Sequence, residues 1–85
     1  MDFSSALLLL KGGEKLARSG WNGKGMFVKL QPHTTDSKMT RPYIYMTLPP
    51  GTTKQFGSNP DQKCELVPWL ASQTDLLAED WEVVK

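Results

Sequence analysis

The beginning of the chain carries the clearest hydrophobic pattern. In the segment FSSALLLLK, residues 3–11, apolar side chains recur at the spacing of one buried helix face. Asp2 is a suitable N-cap, because its carboxylate can accept hydrogen bonds from free backbone N–H groups. Gly12 and Gly13 are expected to end the helix, since glycine readily adopts the left-handed conformation at a helix C-terminus.

This helix is predicted to be apolar on more than one side. Leu8 and Leu9 widen the stripe that the periodicity defines, and such a helix needs packing partners on two sides. A chain of 85 residues buries a smaller fraction of its surface than a larger chain does, and with Cys64 as its one cysteine it cannot form an internal disulfide. The sequence therefore predicts self-association.

Downstream of the helix the chain contains short segments with the β-branched and aromatic content typical of strands. Residues 72–80 fit one or two helical turns with Ser72 or Thr74 as N-cap, and Pro68 is expected to end a strand or to place it at a sheet edge. The pattern predicts an α+β fold in one domain, residues 1–85, with a small, mostly antiparallel sheet, an N-terminal helix and a short late helix. The predicted strands are 15–19, 26–31, 43–48, 64–69 and 81–84.

Two segments lack periodicity and are predicted to be loops. Residues 32–40 are polar apart from Pro32 and Met39. Residues 49–63 include three prolines and two glycines. Long loops without secondary structure are unusual in compact domains and are often functional.

Charge and composition exclude several classes of protein. Ten basic and nine acidic residues give a net charge of +1, which is not the electrostatic footprint of a protein that binds a nucleic acid polymer. The apolar run ALLLL is far too short to cross a membrane. Because Asp2 precedes this run and no basic segment does, a signal peptide is not expected. The chain is predicted to be soluble and intracellular.

Catalytic and metal-binding patterns are weak. A structural zinc site usually takes four ligands, and the chain has one cysteine and one histidine. His33 stands alone in a polar loop, and Cys64 is expected to be buried and inert. The carboxylates of residues 75–82, including Asp75 and Asp80, are predicted to be solvated. No nucleophile, base and orienting group converge, so neither enzymatic activity, a metal nor a cofactor is predicted.

The turn SGWNGKG, residues 19–25, places Trp21 among three glycines. Glycine lets the backbone approach a ligand closely, and successive N–H groups can form a nest for an anion. Lys24 adds a positive charge, and the indole offers a face on which a base can stack. The alternative is an ordinary hairpin turn beside a core tryptophan, since glycine and asparagine are common turn residues.

Several large rings and one arginine suggest a pocket in the second half of the chain. Tyr43 and Tyr45 point to the same face of a strand, which is either half-buried core or the wall of a pocket. Arg41 precedes Pro42 and is therefore biased toward an extended conformation. Its guanidinium is suited to bidentate bonds with a phosphate. The alternative is a solvated arginine at a strand start.

The segment SQTD, residues 72–75, also has two interpretations. Free N–H groups at a helix start suit an anion, and these polar side chains suit ribose hydroxyls. Alternatively, Ser72 or Thr74 caps the helix and Asp75 interacts favourably with the helix dipole.

Two segments together carry a family resemblance. The motifs GWNGKGM and PWLASQTDLLAEDW resemble the Thoeris anti-defense 2-like family over roughly residues 2–31 and 67–84. The motif RPYIYM, in the more variable middle of the chain, lies where that family has a similar arginine–proline strand.

The resemblance implies a sponge, a protein that binds nucleotide second messengers of bacterial immunity and holds them without degrading them. The typical ligand is a glyco-cyclic ADP-ribose isomer made by a TIR-domain enzyme, and some members also hold cyclic dinucleotides. It further implies a homotetramer with pockets shared between subunits, acting in the cytoplasm of the infected bacterial host. The rival functions are an enzyme that degrades the messenger and a protein that inhibits a host defence protein directly. The candidate ligand-binding residues are Phe3, Trp21, Asn22, Gly23, Lys24, Gly25, Met26, Arg41, Tyr43, Trp69, Ser72, Gln73, Thr74 and Asp75.

Overall fold

A five-stranded sheet forms the body of the protein, and each of its pairings is antiparallel. The structure is a computed structural model that describes residues 1–21, 25–49 and 65–85. Asn22, Gly23, Lys24, Cys64 and all of the predicted loop 49–63 except its first residue lie outside the described residues. The strands are β1 (Lys15–Arg18), β2 (Phe27–Gln31), β3 (Tyr43–Leu48), β4 (Glu65–Pro68) and β5 (Trp81–Val84).

The strand order is β4-β3-β2-β1-β5, so β4 and β5 form the two edges. All five predicted strands are confirmed, and the bounds of three of them differ by one residue at one end or both. Pro68 is the last residue of the edge strand β4, as predicted, because proline cannot donate to a sheet ladder. Residues 32–40 contain neither helix nor strand.

The N-terminal helix α1 (Phe3–Lys11) has the predicted bounds. Asp2 caps it, with the backbone N–H of Ser5 donating to Asp2 Oδ1 at 2.9 Å. The helix ends at Gly12, and Gly13 follows with a φ of 97°, a conformation that favours glycine.

Helix α1 packs on one face of the sheet. Its Ala6 and Leu10 are completely buried, together with Leu16 of β1 and Val28 of β2, which are partners in the strand register. On the other side of the helix Leu8 remains 71% exposed. This exposed leucine is the part of the predicted wide stripe that the sheet does not cover, and self-association stays a prediction.

The late helix α2 (Gln73–Leu77) is shorter than the predicted segment 72–80. Ser72 is its N-cap, and the backbone at Ala78 is extended, which ends the helix and directs the chain into β5. Among the described residues, no helix combines the length and the apolar character needed to span a bilayer.

Candidate functional site

All three tryptophans of the chain meet in one aromatic cluster, which also includes Phe3. Trp81 is its centre and is only 2% exposed. The rings of Trp21 and Trp69 stand nearly perpendicular to that of Trp81, with centroid distances of 5.4 and 5.8 Å. Edge-to-face contacts of this kind are the favoured geometry for aromatic pairs.

Polar contacts also fix Trp81 in place. Its indole Nε1–H donates to the backbone carbonyl of Asp75 at 3.0 Å. Its backbone N–H donates to the carbonyl of Met1 at 3.1 Å, and its own carbonyl accepts from the nitrogen of Met1 at 2.9 Å. The central ring of the cluster is thus tied both to α2 and to the segment before α1.

Arg18, at the end of β1, binds two carboxylates from the last quarter of the chain. Its Nη1 lies 2.9 Å from Asp75 Oδ1, and its Nε lies 2.8 Å from Asp80 Oδ1. The side chains of Arg18 and Asp75 are only 15% and 13% exposed. We call these three residues the Arg18 clamp. The prediction that the two aspartates are solvated is therefore wrong, because an arginine distant in sequence pairs with both.

Asp75 also forms hydrogen bonds with residues other than Arg18. Its Oδ1 also accepts from Trp21 Nε1 at 3.2 Å, and its Oδ2 accepts from the backbone N–H of Ser72 at 3.1 Å. The backbone N–H of Asp75 donates in turn to Ser72 Oγ at 3.1 Å. Burial alone would raise the pKa of Asp75, but hydrogen bonds from Arg18, Ser72 and Trp21 lower it below the ordinary value.

Asp80 fixes the start of the turn that follows β1. Its Oδ2 accepts from the backbone N–H of Gly20 at 2.9 Å and from Ser19 Oγ at 3.4 Å. The hydrogen bond from Arg18, followed by that from Gly20, lowers the pKa of Asp80 against the opposing effect of burial. A Cβ on Gly20 would come within 2.8 Å of Asp80 Oδ2, so a side chain at this position would have to displace the Asp80 carboxylate.

Trp21 lines a cleft with a volume of about 320 Å³, which we call the Trp21 cleft. The predicted residues Gly25 and Met26 line it as well. Gly25 has a φ of 83°, and a Cβ there would lie 3.5 Å from Pro49 Cγ. The remaining lining residues of the cleft are Ala17, Arg18, Ser19, Glu82 and Val84.

A second cleft lies at the other end of the aromatic cluster. It has a volume of about 380 Å³ and is lined by the predicted residues Tyr43 and Trp69 together with Met39, Ile44 and Pro68. We call it the Tyr43 cleft. Tyr43 and Tyr45 also share a smaller groove across β3 and β4, which confirms that their side chains lie on the same face of the sheet.

The remaining candidates have different surroundings. Ser72 is the helix cap, so the capping interpretation of this segment is confirmed for Ser72 and Asp75. Gln73 and Thr74 are exposed in the first turn of α2. Arg41 is exposed just before β3 and is not among the lining residues of the two clefts.

No group of three histidine, cysteine or acidic residues suited to a metal ion occurs within residues 1–21, 25–49 and 65–85. What this region offers instead is a flat ring, a positive-φ glycine and a cleft, an arrangement that can bind a planar group.

The sequence profile of the Thoeris anti-defense 2-like domain matches residues 1–84. The chain belongs to this family. A relative described as "Thoeris anti-defense 2", from Bacillus phage SP01, is 39% identical over 88 residues, which cover 99% of this chain and 94% of the relative. The resemblance inferred from the two end segments is confirmed, and the match to the family extends through the middle of the chain as well.

In this Thoeris anti-defense 2-like protein, sequence reasoning missed Arg18 and the pairing role of Asp80. One signal was available for the arginine. Arg18 lies two positions after Leu16 on a predicted strand, so its side chain starts on the same, covered face of the sheet. A charge on a covered face requires a partner, but the pattern does not say that its partners are 57 and 62 residues away.

Proposed function

We propose that this protein sequesters cyclic nucleotide second messengers of bacterial immunity, glyco-cyclic ADP-ribose isomers first, and thereby suppresses anti-phage defence in the cytoplasm of the infected host. The observation that carries the proposal is a fixed indole, Trp21, lining an open cleft beside Gly25 in a member of the Thoeris anti-defense 2-like family. Base–aromatic stacking contributes about 1–3 kcal/mol per base.

The Trp21 cleft suits one part of such a messenger. The indole offers a surface for the adenine, and the absence of a side chain at Gly25 lets backbone approach a ribose or phosphate. We assign phosphate recognition to Arg41, Lys24 and backbone N–H groups of the turn, which fits the nearly neutral net charge because local contacts must replace long-range attraction. The proposed ligand set is Phe3, Trp21, Asn22, Gly23, Lys24, Gly25, Met26, Arg41, Tyr43, Trp69, Ser72, Gln73 and Thr74, with Asp75 acting through its hydrogen bond to Trp21.

A homotetramer with shared pockets is part of this proposal. In one chain the predicted residues Trp21, Gly25 and Met26 line the Trp21 cleft, whereas Tyr43 and Trp69 line the Tyr43 cleft. Trp81 contacts both Trp21 and Trp69. A second copy supplies a way to bring residues of both kinds around one ligand. The 71% exposed Leu8 and the 39% exposed Tyr43 are apolar surface that subunit contacts would cover.

The second part of the proposal is that the protein binds the messenger without catalysing its degradation. Asp75, which accepts a hydrogen bond from Trp21, and its clamp partner Asp80 are both engaged by Arg18. A carboxylate whose pKa is lowered in this way is a weak general base. Cyclic dinucleotides are proposed as a further class of ligand that the protein binds without degrading.

Sequestration has a direct test. A pure glyco-cyclic ADP-ribose isomer is mixed with excess protein, free and bound messenger are separated by filtration, and the bound fraction is heated to denature the protein. We expect binding followed by recovery of intact messenger, judged by mass spectrometry against heated messenger alone. Recovery of hydrolysed product would favour the enzyme, and absence of binding with co-purification of a host protein would favour the protein inhibitor.

The oligomer and the site are tested separately. Light scattering at micromolar concentration is expected to give four times the chain mass of 9.5 kDa, and a clean monomer would refute the shared pocket. Trp21→Ala should weaken messenger binding by about 1–3 kcal/mol while leaving the oligomer intact. Unchanged affinity in calorimetry of a folded variant would make Trp21 ordinary core.

A further inference from the structure

Trp21 and Arg18 donate to the same oxygen, Asp75 Oδ1. The two bonds are 3.2 and 2.9 Å long, and both donors line the Trp21 cleft. Asp75 itself is not among the lining residues of that cleft. It therefore contacts the Nε1 edge of the ring without lining the open space.

We propose that Asp75, held by Arg18, is a positioning residue that sets the orientation of the Trp21 indole for messenger binding. This inference rests on the proposed function and names a role within it. Asp75 is predicted from the sequence to contact the ligand directly, and the positioning role takes the place of that contact.

The first step is that both carboxylate oxygens of Asp75 already accept hydrogen bonds within the protein. Oδ1 accepts from Arg18 and Trp21, and Oδ2 accepts from the backbone N–H of Ser72. A carboxylate with three such bonds is fixed within the protein, and an anionic messenger would be repelled by it at close range.

The second step concerns the freedom of the indole. Trp21 is only half-buried and belongs to a glycine-rich turn, so packing restrains it on one side, where it meets Trp81 edge-on at 5.4 Å. The χ2 torsion of tryptophan has a broad energy profile. One edge contact leaves this rotation available, whereas the Nε1–H bond to Asp75 selects one orientation of the ring face.

The third step is that Arg18 fixes Asp75 against movement. The guanidinium is a rigid planar fork, and its second bond, from Nε to Asp80 Oδ1 at 2.8 Å, anchors it to the residue just before β5. The ring, the carboxylate and the arginine therefore form one rigid unit, and stacking on a ring that is already oriented loses less entropy on binding.

The first experiment observes the ring without ligand. In two-dimensional ¹⁵N–¹H spectra the three tryptophans each give one indole Nε1–H signal, assigned with single Trp→Phe variants. In Asp75→Ala we expect the Trp21 signal to move upfield and its hydrogen to exchange faster with solvent. The Trp81 signal should stay in place, because its acceptor is the backbone carbonyl of residue 75, which the substitution retains.

Two further variants keep this test decisive. Asp75→Asn retains an oxygen acceptor and is expected to restore the Trp21 signal in part. Glu79→Ala, which removes an exposed carboxylate four positions away, is the matched control and should move neither signal. An unmoved Trp21 signal in folded Asp75→Ala would overturn the proposal, whereas loss of dispersion in all signals would direct the test to Asp75→Asn.

The second experiment is a double-mutant cycle with a glyco-cyclic ADP-ribose isomer as probe. Trp21→Phe keeps a ring but removes the Nε1–H donor. Asp75→Ala and Trp21→Phe should each weaken binding by about tenfold, as expected for a hydrogen bond to a charged group, and the double variant should be no weaker than the weaker single variant. Additive losses would overturn the positioning role alone. Failure of the wild-type protein to bind the probe would overturn the proposed function together with it, while the spectra would still report whether Asp75 holds the ring.

Discussion

The two clefts of this protein are built in opposite ways. In the Trp21 cleft one ring is restrained by a charged network, in which Arg18 joins Asp75 and Asp80 within a single chain. In the Tyr43 cleft the lining side chains are apolar apart from the Tyr43 hydroxyl and the Trp69 indole N–H, and Met39 and Tyr43 are 57% and 39% exposed. One ring of each cleft, Trp21 or Trp69, packs against Trp81.

This difference indicates what each cleft requires. Buried hydrogen-bonded networks orient groups in advance, so the Trp21 cleft is prepared for a polar ligand before the ligand arrives. Exposed apolar rings gain free energy only when something covers them. We therefore expect the Trp21 cleft to determine ligand recognition and the Tyr43 cleft to depend on a neighbouring subunit or on the ligand itself.

The largest predicted effect comes from Trp81, the buried ring that packs against Trp21 of one cleft and Trp69 of the other. Trp81→Ala should lower the free energy of unfolding by about 3–5 kcal/mol, as is typical for a large buried aromatic residue. Tyr43→Ala, at an exposed position, should have a much smaller effect. Urea denaturation followed by circular dichroism measures both, and equal losses would mean that the Tyr43 cleft is as tightly packed as the core.

The next largest predicted effect concerns Arg41, which is exposed just before β3, and tests whether its side chain contacts the ligand. Arg41→Ala should weaken messenger binding by about 1.5–3 kcal/mol, the usual contribution of a charged hydrogen bond. Arg41→Lys should weaken it less but measurably, because lysine cannot form the bidentate fork.

The matched control is Lys38→Ala, which removes an exposed cation from the same loop. Calorimetric titrations at low and high salt separate a local contact from general attraction, because contacts shielded from solvent are less screened. Equal affinity of the wild type and both Arg41 variants would exclude Arg41 from the site and leave the phosphate partners unassigned.

A smaller effect is expected at the turn beside the Arg18 clamp. Gly20→Ala places a Cβ against Asp80 Oδ2 and should break the bond from the Gly20 N–H, lowering the free energy of unfolding by about 1 kcal/mol. Gly12→Ala is the control, since its Cβ would make ordinary contacts at 3.4 and 3.7 Å. Thermal denaturation gives the transition temperature of each variant. Equal temperatures for Gly20→Ala and Gly12→Ala would show that Asp80 can move without loss of stability.

Most of the fold could be predicted because its signals are local. Asp2 and the pair Gly12–Gly13 lie directly before and after the apolar pattern of α1, so they define both ends of that helix. The residues of segment 43–48 likewise predict the bounds of β3 correctly. Late in the chain the prediction was less accurate, since the helix was expected to extend to residue 80 but ends at Leu77.

The Arg18 clamp could not be predicted for the opposite reason. It joins β1 to residues that are adjacent only after the sheet has placed β5 beside β1 in the order observed. The sequence identified Trp21 and Asp75 as candidates separately, each from its own motif. It contained no indication that one holds the other, because the hydrogen bond spans 54 residues.

The smallest predicted effect is the dependence of stability on pH, which tests the clamp directly. The pKa values of Asp75 and Asp80 are both lowered from the ordinary 3.8 by bonds with Arg18 and other donors. A carboxylate whose pKa is lower in the folded than in the unfolded state stabilises the fold above its unfolded pKa, and this stabilisation is lost as the pH falls through the folded value. The wild-type protein should therefore lose stability below about pH 4. Urea denaturation at steps between pH 2 and 7 measures this loss.

Asp75→Asn combined with Asp80→Asn should give a shallower decline of stability over the same range. A residual slope should remain from Asp2, whose pKa is also lowered by its capping bond with Ser5. Parallel curves for the two proteins would show that the clamp adds no stability beyond that of its neutral equivalent, and that its role is limited to orienting Trp21.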